Sequence, residues 1–177
     1  MMDYITNKET FTLPSKGKMY GIEVPAEVTL RSMTTEEQMI IERYDENEYK
    51  KICEAIDACM VEKYPISSYD MIFGDYEFLL HKMRIVTYGS DYTMVIQCPN
   101  CKNVVKSETN LDDIVVKEFD AKEVSNREIT LPVTKKVIKL SFQTPRMLDK
   151  IKSQAQEYKK KKNTPGVNYD MMFRIIS

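Results

Sequence analysis

Cys98-Pro99-Asn100-Cys101 is the strongest local signal for chemistry in this chain. Two thiols at this spacing, with Pro and Asn between them, match the knuckle that offers two thiolates to zinc at the tip of a β-hairpin. Structural zinc takes four ligands, and no second pair of this kind is evident in the sequence. Cys53 and Cys59 lie on a predicted helix, about 120° from each other around its axis, and do not converge easily on one metal. Three readings of Cys98 and Cys101 stay open: a degenerate ribbon without metal, a zinc half-site completed by another chain or by unexpected ligands, and a redox pair. The last is the weakest, because the pair does not open a helix in a thioredoxin-like βαβ context.

Other groups offer less. His81 is the single histidine and stands between Leu80 and Lys82 on a predicted helix, the setting of a surface or packing residue. Asp112-Asp113 invites a metal reading, but an Asn-Leu-Asp pattern more readily caps a short helix. Lys159-Lys160-Lys161-Lys162 is the only dense basic run, and at a helix C-terminus it complements the helix dipole. No nucleophile elbow, P-loop or dinucleotide fingerprint is present. With one histidine and five glycines, the chain lacks the parts of most hydrolytic, metal-dependent or phosphate-binding sites, so no catalytic residue is assigned. Twelve methionines and eleven tyrosines suit contact surfaces as well as cores.

Lys+Arg 26 against Asp+Glu 27 leaves a net charge of -1, without the basic excess that broad nucleic-acid or membrane-surface binding needs. The apolar runs are far short of a membrane span. No signal peptide is visible, and four cysteines do not make a disulfide framework, so a reducing cytoplasm is the expected place of synthesis. A chain of 177 residues holds one ordinary domain or two small ones.

The elements that must position these residues are read from the pattern. Thr10 to Tyr20 is a short strand running into a loop at Pro14, and Val28-Thr29-Leu30-Arg31 is a second strand. Thr34-Thr35-Glu36-Glu37 is a capping box that opens a helix to about Arg43, with Met39 and Ile40 turned inward. A second helix spans about 48–62 with Ile52, Ile56 and Met60 on one face. Gly74-Asp75 opens a third, with Asp75 as its cap, Phe78, Leu79, Met83 and Val86 as its apolar stripe, and Gly89 as its stop. Two β-rich runs, 92–97 and 102–109, then flank the cysteine pair as a hairpin.

From Glu128 the opening pattern returns. Ile129-Thr130-Leu131-Pro132 echoes Phe11-Thr12-Leu13-Pro14, Val137 to Leu140 stands where Val28 to Leu30 stood, and Thr144-Pro145 opens a helix to about Lys162 carrying Met147, Leu148, Ile151 and Ala155. The fold class is α+β: short β-hairpins and amphipathic helices, with a zinc-ribbon-like Cys-x-x-Cys hairpin in the middle. Three parts are expected: 1–90, a Leu-Pro strand/turn unit with helices; 91–127, the cysteine hairpin and a connector; 128–177, a second Leu-Pro unit and an apolar end. That end, Met171 to Ile176, must be buried in this fold or against a partner.

The run from Phe11 to Tyr20, the stretch Val28 to Glu37, and Gly74 to Ile85 leading through Tyr88-Gly89 into Cys98-Pro99-Asn100-Cys101 are similar to baseplate hub proteins of T-even-like contractile-tailed bacteriophages. The resemblance covers roughly residues 10 to 145, and the ordered co-occurrence of the motifs is its specific part. It implies a late protein made in the host cytoplasm, a structural component of the virion tail baseplate in the hub region. Its partners would be other baseplate and tail proteins, in several copies about a symmetric axis, with no membrane and no catalysis. An assembly chaperone absent from the finished particle is the alternative in the same class. A zinc-ribbon nucleic-acid-binding module is the alternative from another class. Within the hub reading, the loop carrying Leu13, Pro14, Lys16, Gly17, Met19 and Tyr20 is the expected docking arm. No cofactor is expected, and zinc at Cys98 and Cys101 is the one that stays open.

Overall fold

The computed structural model describes residues 7–117, 119, 127–162 and 167–171. Strand β1 (Lys8–Thr12) pairs antiparallel with β2 (Glu27–Arg31), Phe11 lying opposite Val28 and Glu9 opposite Leu30. Phe11, Val28 and Leu30 are the buried members of this ribbon, so only one face of it meets the core. Three helices follow: α1 (Thr35–Glu42), α2 (Glu48–Cys59) and α3 (Phe73–Tyr88). Their inward side chains close on the ribbon to give one core, in which Leu13, Leu30, Ile56, Met71 and Leu79 have no exposed surface.

Next comes the hairpin of β3 (Asp91–Gln97) and β4 (Val104–Asn110), in register from Asp91↔Asn110 to Gln97↔Val104. A single 3₁₀ turn, Leu111–Asp113, follows, with the Asn110 side chain accepting the Asp112 N–H at 2.9 Å. β5 (Glu128–Thr130) and β6 (Val137–Lys139) form a third hairpin, and α4 (Pro145–Lys162) follows it. Thr144 caps α4 by accepting the Met147 N–H at 3.3 Å, as Thr34 caps α1 by accepting the Glu36 N–H at 3.3 Å. The architecture is α+β with separate two-stranded antiparallel ribbons. The strand-turn-strand-capped-helix order occurs twice.

Two helix faces differ from the sequence expectation. Met39 is 67% exposed, and Glu37 with the half-buried Ile41 takes the inward face of α1. The cause is Arg31, whose Nη1 and Nη2 reach the Glu37 carboxylate at 3.2 and 2.7 Å while Nη2 also donates to the Ala58 carbonyl at 2.9 Å. That fork draws Glu37 onto β2 and turns Met39 out. On α2 the fully buried stripe is Cys53, Ile56 and Cys59, which rotates the helix away from a face centred on Ile52.

The fourth helix returns to the first part of the chain. Asn47 makes no side-chain cap for α2. Instead Asp149, buried on α4, accepts the Tyr49 and Lys50 N–H groups at 3.3 and 3.0 Å and the Tyr69 hydroxyl at 3.1 Å. A carboxylate at a helix N-terminus satisfies open N–H groups and meets the positive end of the dipole. Burial first, and then the Asp149 carboxylate, push the Tyr69 phenol up to about 12. Beside it Arg146 grips Asp70, with Nη2 to Oδ2 at 2.8 Å, and lies 4.4 Å from the centre of the Tyr69 ring. Replacing Asp149 by Ala strips the cap from α2 and should cost about 2 kcal/mol. The shift of the urea midpoint at constant slope measures it.

The Arg31 fork and, after it, Thr34 hold the Glu37 carboxyl at about 2, against burial, which acts the other way. A depressed carboxyl contributes stability that is complete above its ordinary value of 4.5 and is lost as pH falls toward 2. Acid unfolding of the wild type should therefore steepen in that window, by up to about 3 kcal/mol. Glu37→Gln should be less stable at neutral pH and show a flatter acid limb. Urea midpoints measured between pH 7 and about 2 check the sign.

Candidate functional site

The loop expected to dock partners is built into the core at one point. Asp75 lies in the first turn of α3 with no exposed surface, and Ile72 takes the N-cap position. Asp75 is therefore not the cap that its place after Gly74 suggests. Its carboxylate accepts the Ser15 N–H at 3.1 Å, the Ser15 hydroxyl, and the Tyr20 hydroxyl at 2.5 Å. The Tyr20 oxygen in turn accepts the Ile72 N–H at 3.3 Å, and Ser15 Oγ accepts the Gly17 N–H at 3.2 Å. Burial and then the Asp75 carboxylate push the Tyr20 phenol far up, so it stays a donor at any physiological pH.

Gly17 has φ +71°, and a Cβ there would stand 2.1 Å from the Val24 carbonyl oxygen. The returning backbone of the loop passes directly over this residue. Of the docking residues named from sequence, Leu13 and Gly17 are buried, Pro14, Met19 and Tyr20 are half-buried, and Lys16 is exposed. The loop thus has an inner side that holds it on α3 and an outer side that faces solvent. The tie between Ser15 and Asp75 escaped the sequence reading because neither spacing nor periodicity links residues sixty positions apart.

Cys98 and Cys101 sit at the tip of the β3–β4 hairpin, Cys98 half-buried and Cys101 exposed, both free thiols. The Cys98 N–H donates to the Asn103 carbonyl at 2.8 Å, and the Lys102 N–H donates to the Cys98 carbonyl at 3.0 Å, with Lys102 at φ +60°. The Cys101 and Asn100 amides, together with the Cys101 thiol, point at the Cys98 sulfur and hold its thiol below the ordinary range. Cys53 and Cys59 are the reverse case. Burial in the core pushes them up to about 12 and about 11, and neither faces the knuckle's tip or solvent. Among the described residues no group of three or more His, Cys, Asp or Glu is placed to hold a metal ion. The hairpin carries two thiols at its tip, and among the described residues it has no second knuckle to make the ribbon expected from the sequence.

At the hairpin's other end, Tyr92 and Leu111 join Met33, Ile41, Leu80 and His81 around a groove of about 480 Å³. Arg84 lies 4.6 Å from the Tyr92 ring centre and 5.8 Å from that of Tyr88, whose hydroxyl donates to Gln38 at 2.8 Å. His81 is one wall of this groove. Lys82 pairs with Asp112 at 3.1 Å, which makes that aspartate a tie between α3 and the hairpin base. Lys159 to Lys162 are exposed at the end of α4, and Lys161 pairs with Glu157 on its own helix. The expected apolar end, residues 171–176, lies outside the described residues from 172 onward.

The family model described as T4 bacteriophage base plate protein matches residues 6–177 of this chain. No curated protein and no solved structure gives a match.

The loop anchor generates a paired prediction. Gly17→Ala combines a left-handed backbone with a collision against Val24 and should cost more than about 3 kcal/mol. Gly21 also has positive φ, but a Cβ there meets nothing within 4 Å, so Gly21→Ala should cost about 1 kcal/mol. Urea midpoints of the two variants, compared side by side, check the difference.

Proposed function

The chain belongs to the T4 bacteriophage base plate protein family, and from that membership we propose that it occupies the hub region of a contractile tail, in several copies about the tail axis. It is a structural protein of the baseplate that acts through protein–protein contacts, and it is not an enzyme. The observation that supports a baseplate role is the reach of the family match, which takes in the core and the exposed hairpins together. Among the described residues no helix is long and apolar enough to cross a membrane. The protein is made late in infection in the host cytoplasm and carried into the virion tail.

The described surface supports work by contact. Val95, Ile96, Val104 and Val105 are exposed on the cysteine hairpin, and Val133 and Val137 on the β5–β6 hairpin. Exposed aliphatic residues on thin two-stranded ribbons favour burial against neighbours. A stable join of this kind takes roughly 800 Å² per partner. In this reading the described residues of 1–90, with α4 packed against them, form the body, while the β3–β4 ribbon of 91–127 and the β5–β6 ribbon of 128–177 reach outward. Lys16, Met19 and Pro14 offer the outer side of the first loop to a partner, and Leu13, Gly17 and Tyr20 hold that loop in shape. Its deletion would take the donors from a buried Asp75 and is thus a test of folding before it is a test of docking.

Quantitative mass spectrometry on purified particles beside the lysate that produced them tests the placement. Peptides of this chain at fixed stoichiometry with tail proteins are expected. Peptides abundant in the lysate and missing from particles would make it an assembly chaperone, and no association with tails in either fraction would sink the hub reading.

A further inference from the structure

The cysteine knuckle is complete as half of a metal site. Its two thiols are presented at a hairpin tip, Cys98 half-buried and Cys101 exposed, with the backbone closed by the Cys98–Asn103 and Lys102–Cys98 hydrogen bonds. Structural zinc closes its tetrahedron with four such ligands. Among the described residues no group of three or more His, Cys, Asp or Glu is placed to hold a metal ion, so the knuckle finds no further ligands there. All four cysteines and the one histidine are among the described residues, with Cys53 and Cys59 locked in the core. His81 lines the groove beside Tyr92, at the base of the hairpin. The tip is six residues farther along β3, roughly 20 Å at the rise of a strand.

We propose that two copies of this chain meet knuckle to knuckle and share one zinc ion, held by Cys98 and Cys101 from each. A two-fold axis through the metal places the second pair of sulfurs by symmetry, and no other ligand is required. The same approach accounts for the residues beside the tip. Ile96 faces Val105 across the ribbon on one side, while Val95, 70% exposed, and Val104, 63% exposed, lie on the other. Apolar side chains on both faces of a tip give a second hairpin something to cover whichever way it crosses. Zinc with four thiolates is a dianionic centre, and Lys102, next to Cys101 in each copy, supplies the two compensating positive charges. Asymmetric partners would need a matching bare pair of their own, whereas this chain already presents one in every copy. The proposal does not rest on the hub placement.

The test uses the purified full chain under reductant, with zinc and, as a spectroscopic probe, cobalt(II). Titration should saturate at one metal per two chains, and cobalt should give the absorption of a tetrahedral tetrathiolate site. Light scattering should report a dimer with zinc and a monomer after EDTA. Cys101→Ser and Cys98→Ser should each abolish the metal-dependent dimer while leaving the far-UV circular dichroism unchanged, since the knuckle is outside the core. One zinc per monomer, no zinc taken up, or a dimer that survives EDTA and both substitutions would each overturn the proposal. A dimer lost only when reductant is added would overturn it too, as a disulfide between tips.

Discussion

A carboxylate shut away from water has to be met by donors, and at Asp75 that requirement shapes the whole front of the molecule. Leaving such a group unpaired costs several kcal/mol. Here it is satisfied by Ser15, through both backbone and hydroxyl, and by Tyr20. Meeting it bends the chain between β1 and β2 down onto the first turn of α3, and the bend is tight enough that only Gly fits under the Val24 carbonyl. Leu13 is carried into the core by the same movement. The loop is long by the measure of an ordinary hairpin connection, yet it is fixed.

Two further polar ties work in the same manner around the same core. Asp149 joins α4 to the start of α2, and the Arg31–Glu37 fork joins β2 to α1 and to the end of α2. Among the described residues no buried side-chain nitrogen or oxygen is left without a partner. These ties decide orientation more than affinity. A helix packed by Ile and Leu alone can rotate by a residue at little cost, whereas one holding a buried carboxylate cannot, because rotation would strand the charge. Met39 out and Glu37 in is the visible result on α1.

The hairpins and their order were legible in the sequence because they rest on short-range chemistry. Alternating β-branched runs, Pro14 and Pro132, Thr34 and Thr144 as caps, and Gly89 at the end of α3 all act over a few residues. The inward faces of α1 and α2 were less legible. Their rotation is set by Arg31 and by the cysteines, which a hydrophobic count reads as polar or ignores. Asp75 and Asp149 were invisible as anchors, since their donors lie sixty and a hundred positions away. Asp75 was even misleading, for an aspartate after glycine at a helix start carries the local signature of a cap. The hairpin with the cysteine pair at its tip was legible from the two β-rich runs that flank it. That its strands stand apart from the core, exposed along most of their length, was not.

The two Leu-Pro units show why a single fold can be both a rigid body and a set of contacts. Each has a pair of short strands, a turn after Leu-Pro and a capped helix. In the first, α3 covers the ribbon, and Phe11, Leu13, Val28 and Leu30 are buried. In the second, every strand residue is exposed, although α4 beyond it is firmly docked. The difference is not in the ribbon's own sequence, since Ile129, Val137, Ile138 and Leu140 are as apolar as their counterparts. It lies in what is packed against them: no helix of the described chain does for the second ribbon what α3 does for the first. A protein that worked alone would gain by burying those side chains or making them polar. Bare aliphatic side chains on a ribbon anchored by a docked helix are surface whose burial would be favourable against any neighbour, and the chain's own described helices do not supply that burial.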